Sequence, residues 1–336
     1  MIKELKKFIT NNNLDGYVLP KNDNYFTEYS KINNLKRVTS FTGSAGFSLI
    51  LKKSNYLFVD GRYTIQAKKQ SGKNFRILEI PHTWPKDLMN ISEKKIGFDP
   101  KLFTENTLKD YFKDKVNLIP TQFNFKNKIE KKFNRIFILD KNIVGENSNS
   151  KLKKIRKYMI KKKIKYIYCS ASENVNWLLN IRGKDLPNSP LVNCKLLIDK
   201  IGKLYLFINL NKIKNIKKKF SKNIILCEET DFFKTVINLK NGTFCIDKKT
   251  CSIFEQQIIT SKFKIISDED PTYKLKSIKN KTELDNTLKA HIEDGVALTK
   301  FLYWFKFKNK TTTEKEIENK LEKFRKKSKN YLFPSF

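Results

Sequence analysis

The side chains that could bind a metal or attack a substrate are few and scattered. The two histidines, His82 and His291, have no histidine, cysteine or carboxylate at the i+4 spacing that would place two ligands on one helix face. The five cysteines form no Cys-x-x-Cys pair, and they stand at positions 169, 194, 227, 245 and 251. We therefore predict no histidine-rich metal site in this chain and reduced cysteines, mostly in the core.

A run of three acidic residues, Asp268-Glu269-Asp270, is the densest group of potential metal ligands. Consecutive carboxylates do not converge easily on one ion, and Pro271 follows at once. We interpret the run as a solvated linker, with both histidines as structural or surface residues.

Two short motifs lie on either side of a predicted β-hairpin. FTGSAG, residues 41 to 46, precedes the hairpin, and DGRY, residues 60 to 63, closes it. Gly43 and Gly46 permit positive φ or close backbone approach, which predicts a loop packed tightly on a neighbouring surface. The loop has neither the lysine of a phosphate-binding loop nor the spacing of a dinucleotide fingerprint.

The elements that would position these motifs occur twice, in the order helix, strand, hairpin, strand and helix. The matched segments begin at 2 and 152 for the helix, 16 and 166 for the strand, 47 and 196 for the hairpin, and 96 and 244 for the last pair. Offsets of 148 to 150 residues are kept throughout, which predicts a duplicated α/β unit.

The spacing of apolar residues changes after Pro271. An apolar stripe predicts a helix of about 27 residues, formed by Leu284, Leu288, Ile292, Val296, Leu298, Leu302 and Phe305. Thr282 with Asp285, and Thr313 with Glu316, fit capping boxes, and a second amphipathic helix follows the latter pair.

Length and composition bound the remaining possibilities. The 336 residues favour two or three domains, and 39% hydrophobic residues with 12% aromatics exclude a wholly disordered chain. No apolar run is long enough for a membrane span, and the charged N-terminus does not fit a signal peptide, so we expect a cytoplasmic protein without a membrane partner.

The net charge of +35 raises nucleic acid as a partner, which salt-dependent retention on DNA would support. However, only seven of the 69 basic residues are arginine, and lysines are spread over the whole length. This pattern indicates a general composition bias, and we expect no nucleic-acid partner.

Three segments resemble the aminopeptidase P family of Xaa-Pro aminopeptidases, which are creatinase-like metallopeptidases. They are RVTSFTGSAGFSLILKKSNYLFVDGRYTIQAKKQ from Arg37, the WLLNIRG stretch from Trp177 through Pro190, and KSIKNKTELDNTLKAHIEDGVALTKFLYWF with TEKEIENKLEKFR. They keep the family's order and cover nearly the whole chain.

The resemblance implies an α/β fold with two similar creatinase N-terminal-type domains, each a mixed sheet with flanking helices. We expect domain I at residues 1–135, domain II at 136–272, and the first helices of an incomplete pita-bread catalytic domain at 273–336. The family binds two metal ions, usually Mn²⁺, through two Asp, two Glu and one His. All of these follow the segment that resembles residues 334–336, so the resemblance implies no catalytic residue and no metal ligand here, and no activity of the chain alone.

The resemblance also implies a substrate role for Arg62, because the arginine of the family's DGRY element reaches toward the peptide at the active-site rim. The structural alternative is an ion pair with Asp60. For Arg182, in IRG, domain packing is the favoured role. The implied partners are peptides with proline at the second position and a second copy in a homodimer. The alternative function is a non-catalytic dimerisation or substrate-binding subunit of a split peptidase; downstream DNA that encodes the ligand motifs would distinguish the two.

Overall fold

The computed structural model describes residues 1–336 except 28, 31, 126–135, 215, 218–219, 309–312 and 335–336. The expected boundary at residue 135 and the terminal residues Ser335 and Phe336 therefore lie outside the described residues.

The first part of the chain forms a six-stranded sheet flanked by helices. Its elements are α1 (Ile2–Asn11), β1 (Gly16–Pro20), α2 (Asn34–Thr39), β2 (Phe47–Leu51), β3 (Asn55–Asp60), α3 (Thr64–Ser71), β4 (Arg76–Ile80), β5 (Lys95–Phe98), α4 (Glu105–Phe112) and β6 (Asn117–Pro120).

The second part forms another six-stranded sheet and a small two-stranded ladder. Its elements are β7 (Phe137–Ile138), α5 (Lys141–Val144), α6 (Ser148–Lys161), β8 (Tyr166–Cys169), α7 (Ser172–Leu179), β9 (Ile181–Arg182), β10 (Lys195–Asp199), β11 (Leu204–Phe207), β12 (Ile224–Cys227), α8 (Phe232–Ile237), β13 (Phe244–Ile246), α9 (Ile253–Thr260) and β14 (Ile265–Ser267).

The two large sheets have the same topology. Their strand orders are β4-β3-β2-β1-β5-β6 and β12-β11-β10-β8-β13-β14, so each strand of the first sheet has one counterpart in the second. In both sheets the three-strand meander is antiparallel, and the other three neighbouring pairs are parallel. This agreement in order and direction confirms the predicted duplication.

Local geometry repeats as well. Asp99 and Asp247, 148 residues apart, follow the corresponding strands β5 and β13. The Asp99 carboxylate accepts a hydrogen bond from the backbone N–H of Lys101 at 3.0 Å, and that of Asp247 accepts one from Lys249 at 2.9 Å. The same side chain thus organises the same turn in both copies.

Each sheet is covered on both faces, which explains its apolar strands. All five residues of β1 and all four of β8 are buried, as expected for central strands with helices above and below. The five cysteines lie buried and unpaired in the described part of the chain, which confirms the prediction of core thiols.

Three helices complete the described chain: α10 (Pro271–Ser277), α11 (Lys281–Lys308) and α12 (Glu314–Arg325). The 28 residues of α11 agree with the predicted length, and Thr313 with Glu316 forms the predicted capping box of α12. At α11 the predicted box is wrong. Asn280 accepts from the Glu283 N–H and Glu283 accepts from the Asn280 N–H, each at 3.0 Å, because the helix begins earlier than Thr282. Within the described residues, no helix is long and apolar enough to cross a membrane.

Lys151 on α6 is an unusual core residue, because its side chain is fully buried. Its ammonium donates to the Trp177 carbonyl at 2.9 Å and to Asn180 Oδ1 at 2.7 Å, and it lies 3.9 Å from the Trp177 ring centroid. Burial disfavours the charge and lowers the lysine pKa to about 8. The charge is tolerated because acceptors and a π-face surround it.

We expect the free energy of unfolding of the wild type to rise, relative to that of Lys151→Met, between about pH 8 and pH 10. The folded-state pKa lies below the unfolded one, so the unfolded chain binds more protons in this window and stability increases with pH. Urea titrations at several pH values measure the difference. Lys154→Met, an exposed lysine on the same helix, is the matched control. A constant difference between wild type and Lys151→Met would contradict the expectation.

Candidate functional site

The two predicted motifs meet at one end of the β2–β3 hairpin. Ser44 Oγ and Tyr63 Oη lie 2.8 Å apart in a hydrogen bond that joins the loop before β2 to the turn after β3. The Phe41 and Tyr63 rings pack edge to face, with centroids 5.7 Å apart. FTGSAG and DGRY therefore form one surface, called here the hairpin site, which comprises residues 41–46 and 60–63.

Gly46 makes the close approach that the sequence predicted. Its φ is +148°, and a Cβ atom at this position would lie 2.9 Å from the Phe58 carbonyl oxygen. At Gly43 a Cβ would lie 2.2 Å from the Phe41 ring. Only glycine at these positions lets the loop pack against the hairpin and hold Ser44 near Tyr63.

Arg62 lies at the solvent edge of the hairpin site, and its side chain is 71% exposed. Its Nη2 and Nε atoms donate to the two Asp60 oxygens at 2.7 and 3.1 Å, and its backbone N–H donates to Asp60 Oδ1 at 3.0 Å. The hydrogen bonds from Arg62 lower the Asp60 pKa. The guanidinium also stacks near Tyr63, 5.4 Å from the ring centroid. The arrangement presents an oriented cation to solvent, suited to a carboxylate or carbonyl oxygen.

The histidines do not join this site. His82 is largely exposed, with Nε2 3.8 Å from Glu79 Oε1, and His291 is exposed on α11. No group of three histidine, cysteine or acidic side chains in the described part of the chain could hold a metal ion. The described residues therefore do not fit a dinuclear metal centre.

The acidic run at 268–270 is not a uniformly solvated linker. Asp268 accepts a hydrogen bond from Tyr158 Oη at 2.7 Å, and Glu269 lies 3.5 Å from Lys249 Nζ at the surface. Asp270, in contrast, is only 4% exposed and caps α10, where it accepts from the Thr272 N–H at 2.9 Å. The three carboxylates contact three different partners. The solvated interpretation is wrong for Asp270, because this side chain is buried and caps α10.

Arg182, on β9 of the two-stranded ladder, serves packing within the second domain, as predicted. Its Nη1 atom donates to the carbonyls of Asn176 and Ile181 at 3.0 and 2.8 Å, at the end of α7.

A buried ion pair at the junction of the two sheets was missed by sequence reasoning. Lys195 Nζ lies 2.6 Å from Glu255 Oε1, and both side chains are almost completely buried. Tyr168 Oη donates to the same oxygen at 2.6 Å. The available signal was a lysine inside the apolar strand CKLLI, which the prediction treated only as part of a hairpin.

Comparison with known proteins agrees with the duplicated fold. The family model of the Creatinase/Prolidase N-terminal domain matches residues 1–123, and a second model with the same description matches residues 126–283. Xaa-Pro aminopeptidase 1 of Dictyostelium discoideum is 28% identical over 370 aligned residues, which include 100% of this chain and 58% of the relative. A probable Xaa-Pro aminopeptidase P of Pyrenophora teres f. teres is 26% identical over 100% of this chain and 56% of its own length.

Among solved structures, X-prolyl aminopeptidase from Caenorhabditis elegans superposes with a TM-score of 0.87 at 21% identity. The superposition covers 100% of this chain and 61% of that protein, which is described as a cytosolic enzyme with a di-nuclear active site. This likeness confirms the fold. The chain thus spans somewhat more than half the length of these relatives.

Gly46→Ala is expected to lower the free energy of unfolding by about 1 to 3 kcal/mol, because a Cβ there meets a backbone carbonyl at a positive φ. Gly295→Ala is the matched control: no atom lies within 4 Å of the added Cβ on α11, so a gain of about 0.5 to 1 kcal/mol is expected. Chemical denaturation of both variants measures the effects. Equal behaviour of the two would refute the tight packing of the loop.

Proposed function

Because this chain belongs to the aminopeptidase P family of creatinase-like metallopeptidases, we propose that it is the N-terminal portion of an Xaa-Pro aminopeptidase. The complete enzyme would release the N-terminal residue that precedes proline, and a catalytic half outside this sequence would carry two metal ions, expected as Mn²⁺. We include in the proposal domain I at 1–135, domain II at 136–272 and an incomplete catalytic domain at 273–336. A cytoplasmic location and a homodimer complete it.

The observation that carries the proposal is the uncovered face of α11. Large apolar side chains are exposed along it: Leu284 56%, Leu288 64%, Ile292 60%, Val296 49% and Leu302 55%. Leu284, Leu288, Ile292 and Val296 follow one another at intervals of four residues, so they are neighbours on the helix and form a continuous stripe; Leu302 lies six residues beyond Val296. Contiguous apolar patches are rare on monomers and mark surfaces that another structure covers. A catalytic half that packs on α11 would provide this cover.

The alternative is a non-catalytic dimerisation or substrate-binding subunit of a split peptidase. The same stripe on α11 supports it, because a separately encoded half could cover the helix equally well. The two forms differ in whether catalytic activity returns on mixing separately purified halves or only within one continuous chain.

Within either form, we propose that Arg62 binds the peptide substrate. Its guanidinium is exposed and is held in orientation by Asp60 and Tyr63. Such orientation reduces the entropy lost when a substrate oxygen is bound.

We expect the purified chain with added Mn²⁺ to release no product from Xaa-Pro peptides above a buffer blank. Fusion of this chain to the C-terminal part of the Dictyostelium relative should give activity, and Leu288→Glu with Ile292→Glu should abolish this gain because charge in the stripe prevents packing. Ile160→Glu, at an isoleucine that is 61% exposed on α6, is the matched control and should retain it. Chelator-sensitive turnover by the chain alone would contradict the proposal.

Arg62→Lys keeps the charge but loses the paired donor geometry. In the restored enzyme we expect kcat/KM to fall by an amount that corresponds to roughly 1 to 3 kcal/mol of lost transition-state stabilisation, while the fold is retained. A purely structural ion pair predicts instead a loss of about 0 to 1 kcal/mol in unfolding free energy, with unchanged kinetics. Arg76→Lys, an exposed arginine on β4 of the same sheet, is the control. Wild-type kinetics for Arg62→Lys would refute the substrate role.

A further inference from the structure

A cavity of about 320 Å³ lies where the two duplicated domains meet, away from the hairpin site. Asn24, Tyr25 and Lys101 line it from the first domain. The second domain contributes three charged residues and three phenylalanines, which are Lys195, Glu229, Glu255, Phe207, Phe232 and Phe233. Its volume falls at the lower end of the range for small-molecule sites, roughly 300 to 1,000 Å³. It is called here the junction cavity.

The floor of the junction cavity carries the buried Lys195–Glu255 pair. Glu255 is already saturated: Oε1 accepts from Tyr168 and Lys195, both at 2.6 Å, and Oε2 accepts from Ser252 Oγ at 2.8 Å and from the Ser252 N–H at 3.2 Å. This carboxylate therefore has little capacity left for a ligand donor.

Donors, in contrast, remain available. Lys195 uses two of its three N–H groups, on Glu255 and on the Asn24 carbonyl at 2.9 Å. The Tyr25 hydroxyl is buried and forms no hydrogen bond of ordinary geometry among the described residues, but it faces the Glu229 carboxylate, and burial together with this charge raises the Tyr25 pKa. Lys101 lies over the Phe254 ring, 4.8 Å from its centroid, and forms no ion pair in the described part of the chain. The lysine ammonium groups therefore remain as the donors for a ligand with strong acceptor atoms.

The walls of the cavity are aromatic. Phe207 and Phe232 belong to these walls and are buried, whereas Phe233 at the rim is 57% exposed. An exposed phenylalanine beside a concave surface indicates that an apolar group can be covered there. Glu229 is exposed at the same rim, and its charge is opposite to that of the lysines.

We propose that the junction cavity binds a small carboxylate with an aromatic or other apolar body. The carboxylate accepts from Lys101 and Lys195, and the body packs on the phenylalanine walls. The overall charge of +35 favours an anion over a cation. Among the lining residues, Glu229 is the carboxylate that still has free acceptor capacity, and it lies at the solvent edge. The ligand would contact both domains.

Phenylacetate is the probe, tested on the whole chain by ligand-observed NMR and calorimetry, with phenylacetamide and phenylethylamine as neutral and cationic analogues of the same body. We expect phenylacetate to bind at least tenfold more tightly than either analogue and to raise the melting temperature. Inorganic phosphate should bind more weakly, because it has no group for the aromatic walls.

The variants at the rim give opposite expected signs. Lys101→Met should weaken phenylacetate binding by about tenfold, since a charge-assisted contact is lost. Glu229→Gln should strengthen it several-fold by removing a like charge. Lys306→Met, which removes a lysine over the Phe307 ring on α11, is the matched control and should have no effect. Phe233→Ser, at an exposed position, should weaken binding without unfolding the chain.

Several results would overturn the proposal. Preferential binding of phenylethylamine, with Glu229→Gln weakening it, would assign the cavity to cations. Phosphate binding equal to that of phenylacetate and unaffected by Phe233→Ser would show an anion site without apolar selection. Absence of phenylacetate binding by a chain with wild-type melting would show that the cavity has no such ligand.

Discussion

The arrangement of the described structure depends on the contact between corresponding segments of the two duplicated domains. The segment after β5 meets the segment at the start of α9, where the N–H groups of Ile253 and Phe254 donate to the carbonyls of Phe103 and Pro100 at 2.9 and 3.0 Å. Glu105 adds hydrogen bonds from Lys248 and Gln256. Main-chain hydrogen bonds fix register more firmly than exposed side-chain pairs do, so this contact sets how the two sheets face each other.

The sequence predicted the fold well where local pattern and burial agree. Helix α1 with strand β1, and the hairpins of both copies, were visible because apolar periodicity changes from helical to strand spacing at turn residues. The cap of α11 was misplaced, since Asn280 is as good an N-cap as Thr282 and only the start of the helix decides between them. Asp270 was placed in solvent because its burial depends on Asn174, which is 96 residues away in sequence.

The two candidate sites differ in how far sequence could reveal them. The hairpin site is local: a glycine-containing loop precedes β2 and a turn follows the adjacent strand β3, so their motifs indicate a shared surface. The junction cavity combines Tyr25 and Lys101 with residues more than 60 positions later, and no short motif links them. Lys195 was the one visible signal, as a charge inside an apolar strand, yet its partner Glu255 is identified only by tertiary contact.

The identical strand order of the two sheets has a consequence for how the chain folds. Central strands β1 and β8 pair with corresponding neighbours in the two sheets. While the first sheet is incomplete, β1 could therefore pair with β10 or β13 of the second copy, which would give a misfolded species with exchanged strands. Synthesis from the N-terminus reduces this hazard, because β6 at Asn117–Pro120 completes the first sheet before β8 at Tyr166–Cys169 has been made. Vectorial translation thus separates in time two sets of strands that refolding from denaturant releases together.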